Sequence, residues 1–206
     1  MPFWCVKKKV EQEVSTKSIV LSMMVLLVLV NKDDWRKPIR DSRDDNAEVC
    51  DAVEPDENAT GFRLLTSVEW ELAARWRNDA VNTVGGNADP WFTRGNSASG
   101  ATADVTDEDA TSAVGWFWEN VVAELPEGLW TSQPVKRKIP NSLGLYDMSG
   151  NVWEMTSTFG SGGSRLVRGG SWYAALNSSS TQIGYSTFVL PVGTYVETGF
   201  RLARSE

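Results

Sequence analysis

Turn-forming residues interrupt this 206-residue chain so often that it can hold only short elements joined by long connections. Pro140 to Trp153 is dense with them, and Asn82 to Thr111 is rich in Gly, Ser, Thr, Ala and Asp with no long apolar period. Residues 33–58 are polar, with Asp41, Arg43, Asp44 and Asp45 clustered, and read as an irregular loop. Against this background Thr66 to Asn78 is the best helix signature. Thr66 stands three residues before Glu69, the spacing of a capping box. Val68, Leu72 and Trp76 recur at four-residue spacing and predict an inward apolar stripe, while Arg75 and Arg77 suit the negative end of the helix dipole. Short strands are expected where apolar and polar residues alternate: Ala113 to Val122, Ser164 to Arg168 and Gly199 to Arg204. In the last, Phe200, Leu202 and Arg204 would share one face. No fixed-period repeat is present, and the pattern as a whole predicts an α+β domain with one or two helices and high loop content.

Length allows one well-buried domain with an N-terminal appendage. The net charge of −7 argues against nucleic-acid binding, which needs a basic surface; Lys7, Lys8 and Lys9 read as a solvated tail. The chain has 10 tryptophans, and core packing is the expected use of most of them. It has no histidine, which excludes Ser-His-Asp and Cys-His catalysis and the two-His iron site. Its two cysteines, Cys5 and Cys50, are too few for a disulfide framework or a four-thiolate zinc site. Ile19 to Val30 is apolar apart from Ser22. It is short for a membrane span and reads either as a buried segment or as a targeting segment with an atypical leading region.

Four blocks occur in a telling order: Gly61-Phe62-Arg63-Leu64-Leu65-Thr66 with Glu69-Trp70-Glu71 and Ala73-Ala74-Arg75; Pro140 through Glu154, containing Gly144-Leu145-Tyr146-Asp147-Met148-Ser149-Gly150-Asn151-Val152-Trp153-Glu154; Arg168-Gly169-Gly170-Ser171-Trp172; and Gly199-Phe200-Arg201. Together they resemble the formylglycine-generating, or sulfatase-modifying-factor, family, whose fold is C-type-lectin-like. The resemblance covers residues 40–206 and leaves 1–39 as an atypical segment expected to pack on the domain. Leu65 stands where the family usually has Pro, and Met155 where a second Trp is usual.

Oxidase members of this family carry a cysteine pair after the Gly-Gly-Ser-aromatic block. The matching positions here are Ala174 and Ser179, which supply no thiolate for copper, and iron-dependent relatives use histidines, of which this chain has none, so neither metal is expected. The stretch 164–206 also resembles the variable region of proteins diversified by retroelements, and that resemblance implies display at a cell surface or secretion. It implies a ligand-binding set comprising Tyr173, Ala174, Leu176, Ser178, Ser179, Tyr185, Thr187, Phe188, Val189, Val192, Thr194, Tyr195 and Val196. The residues point the same way: Tyr185, Phe188, Val189, Leu190 and Tyr195 put large apolar area among turn formers and few charges, as adaptable binding loops do. The competing expectation is a core strand through Phe188, Val189 and Leu190, while Ile183 reads as scaffold. In relatives that bind calcium, the matching donors here are the side chains of Asp147 and Glu154 and the carbonyls of Gly150 and Val152, implying a structural Ca²⁺. The function expected is recognition of a protein or cell-surface partner without catalysis. A formylglycine-generating oxidase and a structural domain without a dedicated site are the alternatives.

Overall fold

The computed structural model describes residues 61–77, 93, 95–127, 130–176, 179–191, 193 and 195–205. Expectations for 1–39, 33–58, the cysteines and the Ile19–Val30 run lie outside these residues, as do Ser178, Val192 and Thr194.

Strand β1 (Gly61–Leu64) pairs antiparallel with β6 (Leu202–Ser205), so Gly61 lies opposite Ser205 and Leu64 opposite Leu202. Helix α1 (Ser67–Arg75) follows at once. Its start is the expected box: Glu69 N–H donates to Thr66 Oγ1 at 3.2 Å, and Thr66 N–H donates to Glu69 Oε2 at 2.8 Å. Arg63 reaches across from β1 and clamps both oxygens of Glu69, at 2.8 and 2.6 Å.

The helix presents a different face from the one expected. Val68 is 76% exposed and Leu72 is also exposed, whereas Ser67, Trp70, Ala73 and Ala74 are buried. The inward set therefore follows the spacing i, i+3, i+4 from Trp70. One large ring and two methyl groups let the helix lie close to Leu145, Met148 and Ile183, which share its core cluster with Leu65 and Ala203. Alanine is a weak apolar signal in a sequence, and that hid the true stripe. Each full-size core side chain there contributes about 1.5–3 kcal/mol by leaving water.

Two further short helices, α2 (Glu108–Ser112) and α3 (Trp118–Glu124), lie where a loop and a strand were expected. Asp107 caps α2 by accepting the Ala110 N–H at 2.9 Å. Trp116 does make an isolated bridge to Gly150. Pairing goes no further than this one bridge, since buried Asn120 accepts the Phe117 N–H and donates to the Gly115 carbonyl, closing a turn into α3.

The second sheet runs β4-β3-β2-β5 and is built from β2 (Trp153–Phe159), β3 (Arg165–Arg168), β4 (Ser186–Val189) and β5 (Thr198–Phe200). Its first three strands are antiparallel, and β5 pairs parallel with β2. The expected single strand over Gly199 to Arg204 is divided: β5 and β6 belong to different sheets, with Arg201 between them. Arg201 is 2% exposed and turns inward, which breaks the shared face expected for Phe200, Leu202 and Arg204. The two family departures, Leu65 and Met155, are both buried and fill core volume as apolar residues. The architecture is the α+β, loop-rich, C-type-lectin-like fold expected from the sequence, with three rather than one or two helices among the described residues.

Candidate functional site

A buried polar frame holds the C-terminal segment. Glu154 Oε1 accepts from Arg201 Nη2 at 2.5 Å, and its Oε2 accepts from Arg201 Nε at 2.8 Å and Trp70 Nε1 at 2.7 Å. Arg201 also donates to the Tyr146 carbonyl at 2.8 Å, so one guanidinium ties β2 and the turn block to the chain end. Arg168 works the same way from β3. It donates to Ser67 Oγ and to Glu71 on α1, both at 2.8 Å, and to the carbonyls of Gly184 and Tyr185 at 3.1 and 3.2 Å. Those two carbonyls immediately precede β4, so the anchor on α1 fixes where that strand starts.

The glycines after Arg168 permit the next turn. Gly170 has φ +76°, and a Cβ there would meet the Ser180 carbonyl oxygen at 2.6 Å, so only glycine lets the Ser179–Thr181 turn close against it. Ser171 then donates to the Glu197 carboxylate, while its Oγ accepts the Tyr173 N–H at 3.3 Å.

On this frame the C-terminal segment turns its large side chains outward. Tyr173 is 63% exposed and Phe188 55%, and Tyr185, Leu190, Tyr195 and Val196 are exposed as well. The core-strand expectation is half right. Ser186–Val189 is a strand, yet Phe188 points to solvent, where a Cβ on Gly160 would collide with its ring. Ser179 is exposed, and Ala174, Thr187 and Val189 are half-buried. Leu176 is a correction: only 7% exposed, with its N–H held by Glu119 at 2.9 Å, it belongs to the packing beneath the surface. Ile183 is fully buried, as scaffold should be.

Tryptophans complete the surface, and the sequence reading missed them by assigning most to the core. Trp70 and Trp116 are buried, but Trp118, Trp130, Trp153 and Trp172 are half-buried. Tyr173 packs edge-on to Trp118 and Trp172 at 5.3 and 5.4 Å between centroids, and Trp118 packs edge-on to Trp130 at 5.6 Å. Trp153 lies 6.0 Å from Tyr185. Such pairs stiffen the rings and lower the entropy cost of using them in contact. The Trp153-to-Tyr185 interval was legible only as a Trp inside the turn block and a Tyr beyond it.

Of the donors expected for calcium, Asp147, Gly150 and Val152 lie in the turn block before β2 and Glu154 lies in β2. Asp147 sits at φ +55°; its Oδ2 accepts the Lys136 N–H at 3.0 Å, while its buried Oδ1 has no hydrogen-bond partner. Burial pushes this carboxyl above its ordinary value; nearby Glu154 adds to that, and the Lys136 N–H, Arg201 and Asn151 oppose it. A buried carboxylate oxygen without a partner is a fitting donor for a hard cation. Glu154 is the weaker donor, because Arg201 and Trp70 already occupy it, although Oε1 has a single partner and keeps a lone pair. No group of three or more His, Cys, Asp or Glu among the described residues could hold a metal, so an ion here would depend on carbonyls and water as well.

Ala174 and Ser179 stand on this same surface and carry no redox or nucleophilic group of the thiolate kind. None of the described helices is long and apolar enough to cross a membrane.

Comparison with known proteins places these features. The chain is 29% identical over 183 residues to the chaperone protein LppX of Paenibacillus barcinonensis, covering 81% of this chain and 57% of the relative. It is 33% identical over 152 residues to inactive C-alpha-formylglycine-generating enzyme 2 of Mus musculus, covering 70% of this chain and 44% of that protein. Among solved structures, Treponema denticola variable protein 1 is similar with a TM-score of 0.51 and 29% identity, over 75% of this chain and 51% of that one. The chain thus spans about half the length of the proteins it matches. A family model matches residues 28–206, beginning inside the Ile19–Val30 run. By that match, the chain belongs to the sulfatase-modifying factor enzyme 1-like domain family.

Proposed function

We propose that this chain is a non-catalytic binding domain whose C-terminal surface recognises a partner protein. The observation that carries the reading is the outward display of Tyr173, Tyr185, Phe188 and Tyr195 on a segment pinned from below by Arg168 and Arg201. Surfaces of this kind gain affinity from large, stiff aromatic side chains and adapt through Ser, Thr and Gly neighbours. Likeness to a variable protein and to an inactive enzyme supports the reading. So does Ala174 and Ser179 standing where oxidase relatives carry cysteines. Residues 164–206 are the segment that retroelement-driven diversification would vary, and the buried Arg168, Ile183 and Arg201 are what it would have to spare. Within the same reading, Asp147 and Glu154 through side chains and Gly150 and Val152 through carbonyls would hold a calcium ion, whose charge would offset the buried carboxylate without supplying any reaction chemistry.

The test is the gene itself across a population of cells. The reading expects a neighbouring reverse transcriptase and a template repeat. It also expects codon changes concentrated at Tyr173, Tyr185, Phe188 and Tyr195, with Arg168, Ile183 and Arg201 constant. Changes spread evenly through the gene, or absent, would count against it. The oxidase alternative is tested separately with a cysteine-containing sulfatase-motif peptide and copper, and turnover above background would overturn the non-catalytic reading.

A further inference from the structure

The outer edge of the four-stranded sheet is chemically unusual for an edge. Strand β4 is terminal in the order β4-β3-β2-β5, and its register to β3 is continuous from Arg165–Val189 to Arg168–Ser186. Among the described residues, no hydrogen bond joins the backbone of Ser186–Val189 to anything but β3. In an antiparallel pair, successive residues direct their N–H and C=O groups to alternate sides. Part of the β4 main chain therefore faces away from β3 as donors and acceptors that no described residue pairs.

Protein edges of this kind are usually blunted by charge, by proline within the strand or by a bulge. Here no Asp, Glu, Lys or Arg stands anywhere between Arg168 and Glu197, in a chain whose net charge is −7. Pro191 comes only after the strand has ended. The register contains no break. The apolar side chains are instead turned out. Phe188 lies opposite Leu166, so the two share a face, and by alternation Leu190 continues that face. Phe188 and Leu190 are both exposed, 55% and 48%, and the Phe188 ring rests against Gly160.

We infer that β4 is a docking edge, at which an extended, uncharged segment of the partner protein adds as a further antiparallel or parallel strand. This inference rests on the binding reading above and specifies its mode. Outward main-chain groups pair with another main chain whatever its side chains, which supplies affinity. Phe188 and Leu190 select apolar residues at alternate positions of the incoming strand. An uncharged partner is favoured because β4 itself carries no ionised side chain, so an ionised group drawn against it would lose hydration without a counter-ion on the strand. The division of labour also suits a surface that varies: backbone pairing survives changes of side chain, while Tyr173 and Tyr195 lie outside β4 and can change freely.

The test uses the full chain and a phage-displayed library of random dodecapeptides. Selected peptides are expected to be uncharged and to alternate apolar residues. On binding, they are expected to slow hydrogen exchange of the outward amides within Ser186–Val189. Two variants, Thr187→Pro and Phe188→Pro, probe the edge directly. One of these adjacent N–H groups points away from β3, so proline at that position removes an outward donor while sparing the sheet. The variant that keeps the wild-type circular dichroism spectrum should lose peptide affinity about tenfold or more. If both variants unfold, the exchange footprint on the wild-type chain decides. Peptides that bind without protecting Ser186–Val189, or that survive the folded proline variant but are lost in Tyr173→Ser and Tyr195→Ser, overturn the edge and leave the binding surface standing. Enrichment of no peptide over an unrelated control protein overturns the edge, and the population test above then judges the wider reading on its own.

Discussion

Replacing Arg201 with Met removes the positive half of the most buried ion pair among the described residues. Side-chain exposure is 1% for Arg201 and 6% for Glu154. In the variant, Glu154 keeps Trp70 Nε1 at 2.7 Å but loses both guanidinium contacts, and the Tyr146 carbonyl loses its donor. A buried charge stripped of its partner costs about 3–5 kcal/mol. For a chain of this size each kcal/mol lowers Tm by about 2–4 °C, so the expected drop is about 6–20 °C. Thermal unfolding followed by circular dichroism, with a chelator present so that no cation substitutes for the guanidinium, gives the number. Adding Glu154→Leu to the same variant removes the stranded carboxylate, and the double variant should recover a large part of the loss. A single variant costing under about 1 kcal/mol would refute the claim that this pair holds the frame.

Glu69 should give a pH signature. Burial alone would raise its carboxyl, but the Arg63 hydrogen bonds, the Thr66 N–H, the Arg63 charge and the Thr66 hydroxyl outweigh that and hold it below its ordinary value of 4.5. Its contribution is therefore full above that value and fades as pH falls through the depressed one. Because both partners are over a third exposed, the wild-type excess over Glu69→Gln at neutral pH should be only about 1 kcal/mol or less, and urea titrations from neutral to acid pH should show the two converging. Gly170→Ala forces a side chain into φ +76° and against the Ser180 carbonyl, and should destabilise by about 1–3 kcal/mol in the same assay. Calcium titrated into chelator-treated protein should raise Tm, and Asp147→Asn should abolish most of the rise; an unchanged Tm in the wild type would remove calcium from the account.

The parts of this fold legible in sequence are those where one local interaction dictates geometry. The Thr66–Glu69 box starts α1 as expected, because the capping atoms lie within one turn. β3 was equally plain, since Gly169 and Gly170 end it. Long-range decisions were not legible. The face α1 buries is set by where Leu145, Met148 and Ile183 sit, and nothing near Val68 or Leu72 reveals that. The break between β5 and β6 follows from Arg201 reaching Glu154, a partner 47 positions away. At the candidate site, Tyr185, Phe188 and Tyr195 stood out by composition and Tyr173 only through the family resemblance; all four are exposed, whereas Leu176 is drawn inward beneath them. The half-buried tryptophans around Tyr173 come from α3, the Trp130 loop and the Gly-Gly-Ser-Trp block, so their convergence is tertiary and has no local signal.

Frame and surface should be separable in this domain, and a combined Tyr173→Ser, Phe188→Ser, Tyr195→Ser variant measures that in one experiment. Its capture of cell-surface proteins should be read beside its Tm, both against wild type. The expected result is loss of the proteins that wild type retains with only a small fall in Tm, since the three side chains are 63%, 55% and 40% exposed and the packing given up is chiefly the edge-on contacts of Tyr173 with Trp118 and Trp172. Unchanged capture, or a fall in Tm of the size reserved for Arg201→Met, would contradict it.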